Sequence, residues 1–300
     1  MTYVACNLCG SNDYTVRFEQ GVAQVNQIVN CKCCGLMYAN PRVQEADNVL
    51  IETYDPEFVL ASMVKPDSWR VGKESVQVKD YEKTRVFLNK HYPQKGKLIE
   101  VGGGLGYLLN FFKQDGWNVV GVEPNVGLSR YAESELGIET IPTILEEAEL
   151  EDRSVDVVLM MNVIEHVSDP YSTLKEVYRI LKPGGIFVME TPRYDTLMFK
   201  LLGKRERNVS CNGHIYFFTT STLEKLVTKA GFTVLKTDYV GRSLTLDRVF
   251  YVLGVISKSQ LIQKIFKDMA VKLHLNKISL SLNVRDMQRI YLKKPDSGSA

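Results

Sequence analysis

Three hundred residues fit one large domain or two ordinary ones, and 45% apolar with 24% charged residues describe a globular chain able to bury a core. No uncharged run approaches the roughly 18 apolar residues of a membrane span, and the start, Met1-Thr-Tyr-Val-Ala-Cys6, lacks the basic and apolar regions of a secretory signal. A spanning protein, a collagen-like fibre and a disordered chain are thereby excluded, a reducing cytoplasm is the expected location, and a net charge of +2 is too small to argue for nucleic acid.

Two copies of C-x-x-C-Gly open the chain, Cys6-Asn-Leu-Cys9-Gly10 and Cys31-Lys-Cys-Cys34-Gly35, separated by 21 residues. Each tight turn aims two thiolates at one point, and four thiolates on two such turns predict a closed tetrahedral zinc site with no open position, hence structural and not catalytic. Disulfides and a redox C-x-x-C are the competing readings; the first is disfavoured by the missing signal and the second by the duplication. Tyr14–Phe18 and Ala23–Val29 alternate loosely and predict the short strands of a zinc ribbon over residues 1–40. Cys33 is a spare thiol, and lone Cys211 is most simply a small apolar residue.

Residues 41–94 follow as a linker or cap with weak helical patterning, clearest from Tyr81 to Tyr92 and stopped by Pro93. From residue 95 an α/β alternation begins. Lys97–Val101, Asn118–Val122, Val155–Met160 and Ile186–Glu190 read as strands. A helix is expected from Pro170 to Leu181, with Asp169 as its cap and Leu174, Val177, Tyr178 and Leu181 on one face. Strands separated by such helices imply a Rossmann-like, doubly wound, mostly parallel sheet over 95–300. Residues 260–273 pattern as a basic amphipathic helix within a helical insertion of about 244–276, before a closing strand Gln288–Leu292 expected at the sheet edge. From Arg242 onward there are 11 basic and 4 acidic side chains, so this quarter carries +7 on a body of −5. That helix could lie on an anionic membrane, although such stripes more often pack on their own domain.

The run Glu100-Val-Gly102-Gly-Gly104-Leu-Gly106 follows a strand and opens a helix, the place where ligands of doubly wound sheets bind. A dinucleotide fingerprint would need glycine at Tyr107, and a Walker loop needs Gly-Lys-Ser/Thr, so neither fits. An acid at the end of the next strand, Glu123, stands 21 residues after Gly102 and can take both hydroxyls of a ribose. Glu100 adds negative charge near the loop, suited to a sulfonium or ammonium ligand without phosphate.

With Gly121-Val-Glu-Pro124, Val163-Ile-Glu-His-Val-Ser-Asp-Pro170 and Leu181-Lys-Pro-Gly-Gly185, residues 95–240 resemble a class I S-adenosylmethionine-dependent methyltransferase. The cysteine knuckles, Leu36–Pro41 and His214-Ile-Tyr-Phe-Phe218 resemble bacterial zinc-ribbon methyltransferases of sugar, surface-glycan and secondary-metabolite pathways. The resemblance implies that Gly102, Gly104 and Gly106 pack against S-adenosylmethionine, that Glu123 binds its ribose, and that Asn162 approaches the sulfonium. It also implies an adenine contact near Ile144, by backbone or through Glu146.

A hydroxyl or carbon acceptor needs its proton removed, and histidine is the natural base near pH 7. His166, after the fourth strand, and His214, in the loop after the fifth, are the candidates, with Tyr216 as a substrate-lining alternative; each could instead be structural. His91 and His274 are given no role. The expected function is therefore methylation of a small molecule, a sugar or sugar-derived metabolite, at oxygen or less readily at carbon. The alternatives are an RNA methyltransferase and a non-catalytic S-adenosylmethionine-binding module. The ribbon's cations, Arg17 and Lys32 against Asp13 and Glu19, disfavour RNA.

Overall fold

A computed structural model of the chain describes residues 2–19, 27–42, 81–206, 209, 213–245, 260–273 and 279–296. Most of the linker expected over 41–94, the start of the second ribbon strand, Cys211 and His274 lie outside these residues. No helix among the described residues is long and apolar enough to cross a membrane.

The cysteine turns carry a small antiparallel sheet of β1 (Tyr14–Phe18), β2 (Ile28–Cys31) and β3 (Met37–Ala39). After α1 (Glu82–His91) comes the alternation that builds the main sheet: β4 (Lys97–Val101), α2 (Tyr107–Gln114), β5 (Asn118–Val122), α3 (Val126–Leu136), β6 (Thr140–Ile141), β7 (Val155–Met161), α4 (Pro170–Ile180) and β8 (Leu181–Pro192). Then follow α5 (Leu197–Leu202), β9 (Tyr216–Phe217), α6 (Thr220–Lys229), β10 (Thr233–Thr245), α7 (Gln260–Lys272) and β11 (Ser279–Lys293).

The main sheet has seven strands in the order β10-β11-β8-β7-β4-β5-β6, with β10 and β11 antiparallel and the rest parallel. The expected Rossmann-like architecture is therefore present. Its central strands are mostly apolar because both faces are covered. Ile99, Val101, Val158 and Met160 point to one core, while Leu98, Val157 and Leu159 point to the other. Helix α4 begins as the sequence predicts: the Asp169 side chain accepts from the Ser172 N–H, and Pro170 needs no partner for its nitrogen.

One expectation needs correction. The closing strand is not at the edge. It is longer than its apolar stretch, and Met287, Ile290, Tyr291 and Leu292 are fully buried on alternate faces, so β11 inserts between β8 and the half-exposed β10. A cross-strand ion pair anchors it. Arg289 donates from Nε to Glu190 Oε2 at 2.8 Å and from Nη1 to Thr84 of α1 at 3.0 Å, all three side chains being buried. The cysteine-bearing segment is joined to the main domain through a shared sheet. β9, from the methyltransferase-like half, pairs antiparallel with β3 through Met37–Phe217 and Tyr38–Tyr216, making a fourth strand of the ribbon sheet. Leu36 and Tyr38 share one core with Met160, Phe187 and Ile290.

Candidate functional site

The glycine loop turns sharply at the carboxyl end of β4. Gly102 has φ +72°, and a Cβ there would stand 2.3 Å from Val163 Cγ2, so no other residue fits without displacing the wall opposite. Gly104 also needs a positive φ, +54°, but a Cβ on it would meet nothing within 4 Å. Gly106, at φ +78°, starts α2, and a Cβ on it would lie 2.9 Å from Ala132 of α3. Its constraint is helix packing, where the sequence reading placed all three glycines against the ligand.

Glu123, at the end of β5, is nearly fully buried. Its Oε2 accepts from the Gly104 N–H at 2.8 Å and its Oε1 from the Asn125 N–H at 2.9 Å. Burial pushes its pKa up, and these two hydrogen bonds pull it partly back. Each oxygen keeps a lone pair for a further donor. Glu100 is buried beneath the loop and is not in the wall of the cavity. Its Oε2 has no hydrogen-bond partner among the described residues, and burial, then the charge of Glu123, raise its pKa well above the carboxylate range.

Between these groups and the β7–α4 loop lies a cavity of about 270 Å³. Gly102, Glu123, Ile144, Glu146, Asn162 and His166 are in its wall. Asn162, directly after β7, has φ +59°, an uncommon conformation for a residue with a side chain. Its N–H donates to Glu190 O at 2.8 Å, which fixes the turn. The Glu146 carboxylate accepts from the Thr173 hydroxyl at the start of α4, holding the wall near Ile144.

His166 is in the wall of this cavity. Burial drives its pKa down to about 4, opposed by a backbone hydrogen bond to Gly213, so the ring is neutral near pH 7. The His214 ring packs edge-on against it, with centroids 4.6 Å apart. The two candidate bases thus meet. His214 Nδ1 is 3.2 Å from the Tyr194 hydroxyl, and its Nε2 is 3.9 Å from Glu165 Oε1. Glu165 is buried, and its Oε2 accepts from Thr191 at 2.9 Å.

Tyr216 is not in the wall of this cavity. Its ring is buried between ribbon and main domain, its hydroxyl accepts from Arg42 Nη1 at 3.0 Å, and it donates to Ser168 O at 3.1 Å. Sequence reasoning missed Glu165, Arg42 and Gln288. Glu165 stood beside His166 in the motif, but nothing local announced the others.

The four cysteines converge. Cys6 and Cys34 sulfurs are 3.4 Å apart and Cys9 and Cys31 sulfurs 3.5 Å, with all four within 4.8 Å of one another. The Gly10 N–H returns to Cys6 O and the Gly35 N–H to Cys31 O, and both glycines have positive φ. This is the paired-knuckle geometry the spacing requires.

Residues 75–237, more than half the chain, match the family described as a methyltransferase domain. The chain belongs to that family. Within this methyltransferase domain, the tRNA U34 carboxymethyltransferase of Desulfotalea psychrophila is 36% identical over 120 residues, covering 35% of this chain and 35% of that one. The ubiquinone biosynthesis O-methyltransferase of Bradyrhizobium sp. is 36% identical over 100 residues, covering 32% and 39%. The matched stretch spans between about a third and two fifths of these relatives' length. An S-adenosylmethionine-dependent methyltransferase from Archaeoglobus fulgidus superposes with a TM-score of 0.52 at 18% identity, over 80% of this chain and all of that one, which shows the shared fold.

Proposed function

We propose that this chain transfers a methyl group from S-adenosylmethionine to an oxygen of a small acceptor, a sugar or sugar-derived metabolite. One observation carries the reading: a cavity at the carboxyl ends of β4, β5 and β7 is lined by a carboxylate, a glycine turn and a histidine. These residues fit the donor. Glu123 keeps two lone pairs for a ribose diol, and the open space beyond Gly104 lets a ligand reach the backbone. Ile144, Leu145 and Val167 offer apolar surface for a base. Glu100 keeps its proton beneath the loop because burial raises its pKa, and a cationic ligand favours its ionised form.

The sulfonium is already activated when bound, so the protein's task is alignment and handling of the acceptor's proton, and alignment alone supplies up to roughly 7–11 kcal/mol in the best cases. His166 and His214 are the groups that act on that proton. The four thiolates fit zinc: tetrahedral bonds of about 2.3 Å place sulfurs roughly 3.8 Å apart, a small expansion of the 3.4 and 3.5 Å pairs, and with four protein ligands such an ion is structural. Purified protein with labelled S-adenosylmethionine and a panel of nucleotide sugars, quinols and structured RNA tests the reading. Labelled small molecules support it. Label confined to RNA overturns the acceptor class, and donor binding with no transfer to any acceptor overturns the activity.

A further inference from the structure

We propose that Glu165, His166 and His214 form a second metal centre, a two-histidine, one-carboxylate site for a divalent first-row ion, next to the donor cavity and distinct from the cysteine site. One ligand atom from each of the three residues lies within 4.8 Å of the other two. His214 Nε2 and Glu165 Oε1, 3.9 Å apart, are too distant to hydrogen-bond, yet an ion about 2.0–2.2 Å from each fits between them.

Each ligand is held from behind, as metal ligands are. Tyr194 meets Nδ1 of His214, Thr191 donates to the far oxygen of Glu165, and Gly213 bonds the His166 ring through its backbone. The segment that brings the two histidines together is itself fixed, because the Ile215 and Tyr216 N–H groups both donate to Glu165 O. A second, independent observation points to a ligand here. Gln288 of β11 pairs with Thr191 of β8, so their side chains share a sheet face. Gln288 is fully buried, and neither its Oε1 nor its Nε2 has a partner among the described residues. An amide buried beside the Glu165–Thr191 pair is placed to hold a water or an acceptor group bound to the ion.

The donor set of two imidazoles and a carboxylate suits Zn²⁺, Fe²⁺, Co²⁺ or Mn²⁺, and three protein ligands leave coordination positions open. For chemical role the inference rests on the methyltransferase reading. An acceptor hydroxyl bound to the ion loses its proton to bulk water at lower pH. Its oxygen then forms the new bond to the methyl carbon as the carbon–sulfur bond breaks, and the sulfur keeps the electron pair. His166 and His214 act on the proton through the ion.

Protein carrying a single equivalent of zinc, which the four thiolates hold, is titrated with Co²⁺ to test this without any acceptor. The thiolate site retains zinc, which binds more tightly than cobalt. One equivalent of Co²⁺ is expected to give visible d–d absorption without a thiolate charge-transfer band. His214→Ala should weaken Co²⁺ binding at least tenfold, and Thr191→Val, which removes only the hydroxyl behind Glu165, by about tenfold. Both variants should keep their zinc. No cobalt uptake by the unaltered protein, uptake only with thiolate bands, or unchanged uptake by His214→Ala overturns the proposal. Calorimetry with S-adenosylmethionine, run separately, tells failure of this site from failure of the methyltransferase reading.

Discussion

Four residues bear on the proposed donor site, and each can be isolated by substitution. Gly102 and Gly104 share a left-handed backbone but differ in what lies beyond. Gly102→Ala drives a methyl into Val163 and is expected to cost about 1–3 kcal/mol of stability in urea denaturation. Gly104→Ala meets open space, so its loss is only the backbone penalty of about 1–2 kcal/mol. Its donor affinity should nonetheless fall tenfold or more, because the methyl projects toward the ligand. Donor affinity kept within twofold in Gly104→Ala would show that the loop does not face the donor. Glu100 and Glu123 add a pH dependence. Both pKa values are raised by burial, so the native chain keeps protons that the unfolded chain releases. Stability contributed this way is complete below the usual carboxylate range and is lost as pH rises through the raised values. Glu100→Gln should flatten that decline, as read from thermal midpoints across pH. A cationic donor favours the ionised carboxylates, so its binding should release protons and tighten with pH. Calorimetry in buffers of different ionisation enthalpy measures that release, and heats independent of buffer would refute the linkage.

Among elements, what the sequence made legible follows from the range of the forces involved. Strands β4 and β5 and the start of α4 are written locally, in apolar runs and in Asp169-Pro170. Glu123 was legible because its partner, the Gly104 N–H, is fixed by the same β–α–β unit. β9 was not, since two residues carry no period and its reason for being a strand is β3, far earlier in the chain. The interior place of β11 was hidden for the same reason: Arg289 reads as a surface charge until Glu190 and Thr84 are found around it. Tyr216 makes the point testable. It looked like a group facing substrate, whereas its hydroxyl ties Arg42 to Ser168 in a buried network. Tyr216→Phe should lower stability by about 1–3 kcal/mol through the unmet guanidinium and leave donor affinity within twofold. A large affinity loss without destabilisation would return Tyr216 to the active site.

On the scale of the molecule, the ribbon behaves as part of the wall around the histidines. Arg42 Nη2 donates to Ser168 O at 2.7 Å, and Asn7 donates to Asp169 Oδ1 at 2.7 Å while accepting from the Tyr171 N–H at 2.9 Å. Lys229 of α6 donates to Leu8 O at 2.9 Å. These bonds grip the β7–α4 loop from outside, and β9 grips it from beneath through Glu165 O. With zinc held by the four thiolates as proposed, its binding energy there is folding energy. Stripping zinc from the thiolates is therefore expected to free more than residues 2–42. Amide exchange should rise together at Ile28–Ala39, Ile215–Phe218 and Val163–Ser168, while β4, β5 and β7, buried on both faces, keep their protection. Donor affinity should fall several-fold with them, because Val163, His166 and Val167 are in the cavity wall. Loss of protection limited to residues 2–42, with donor affinity intact, would make the ribbon an appended module and break the link between its metal and the histidine pair.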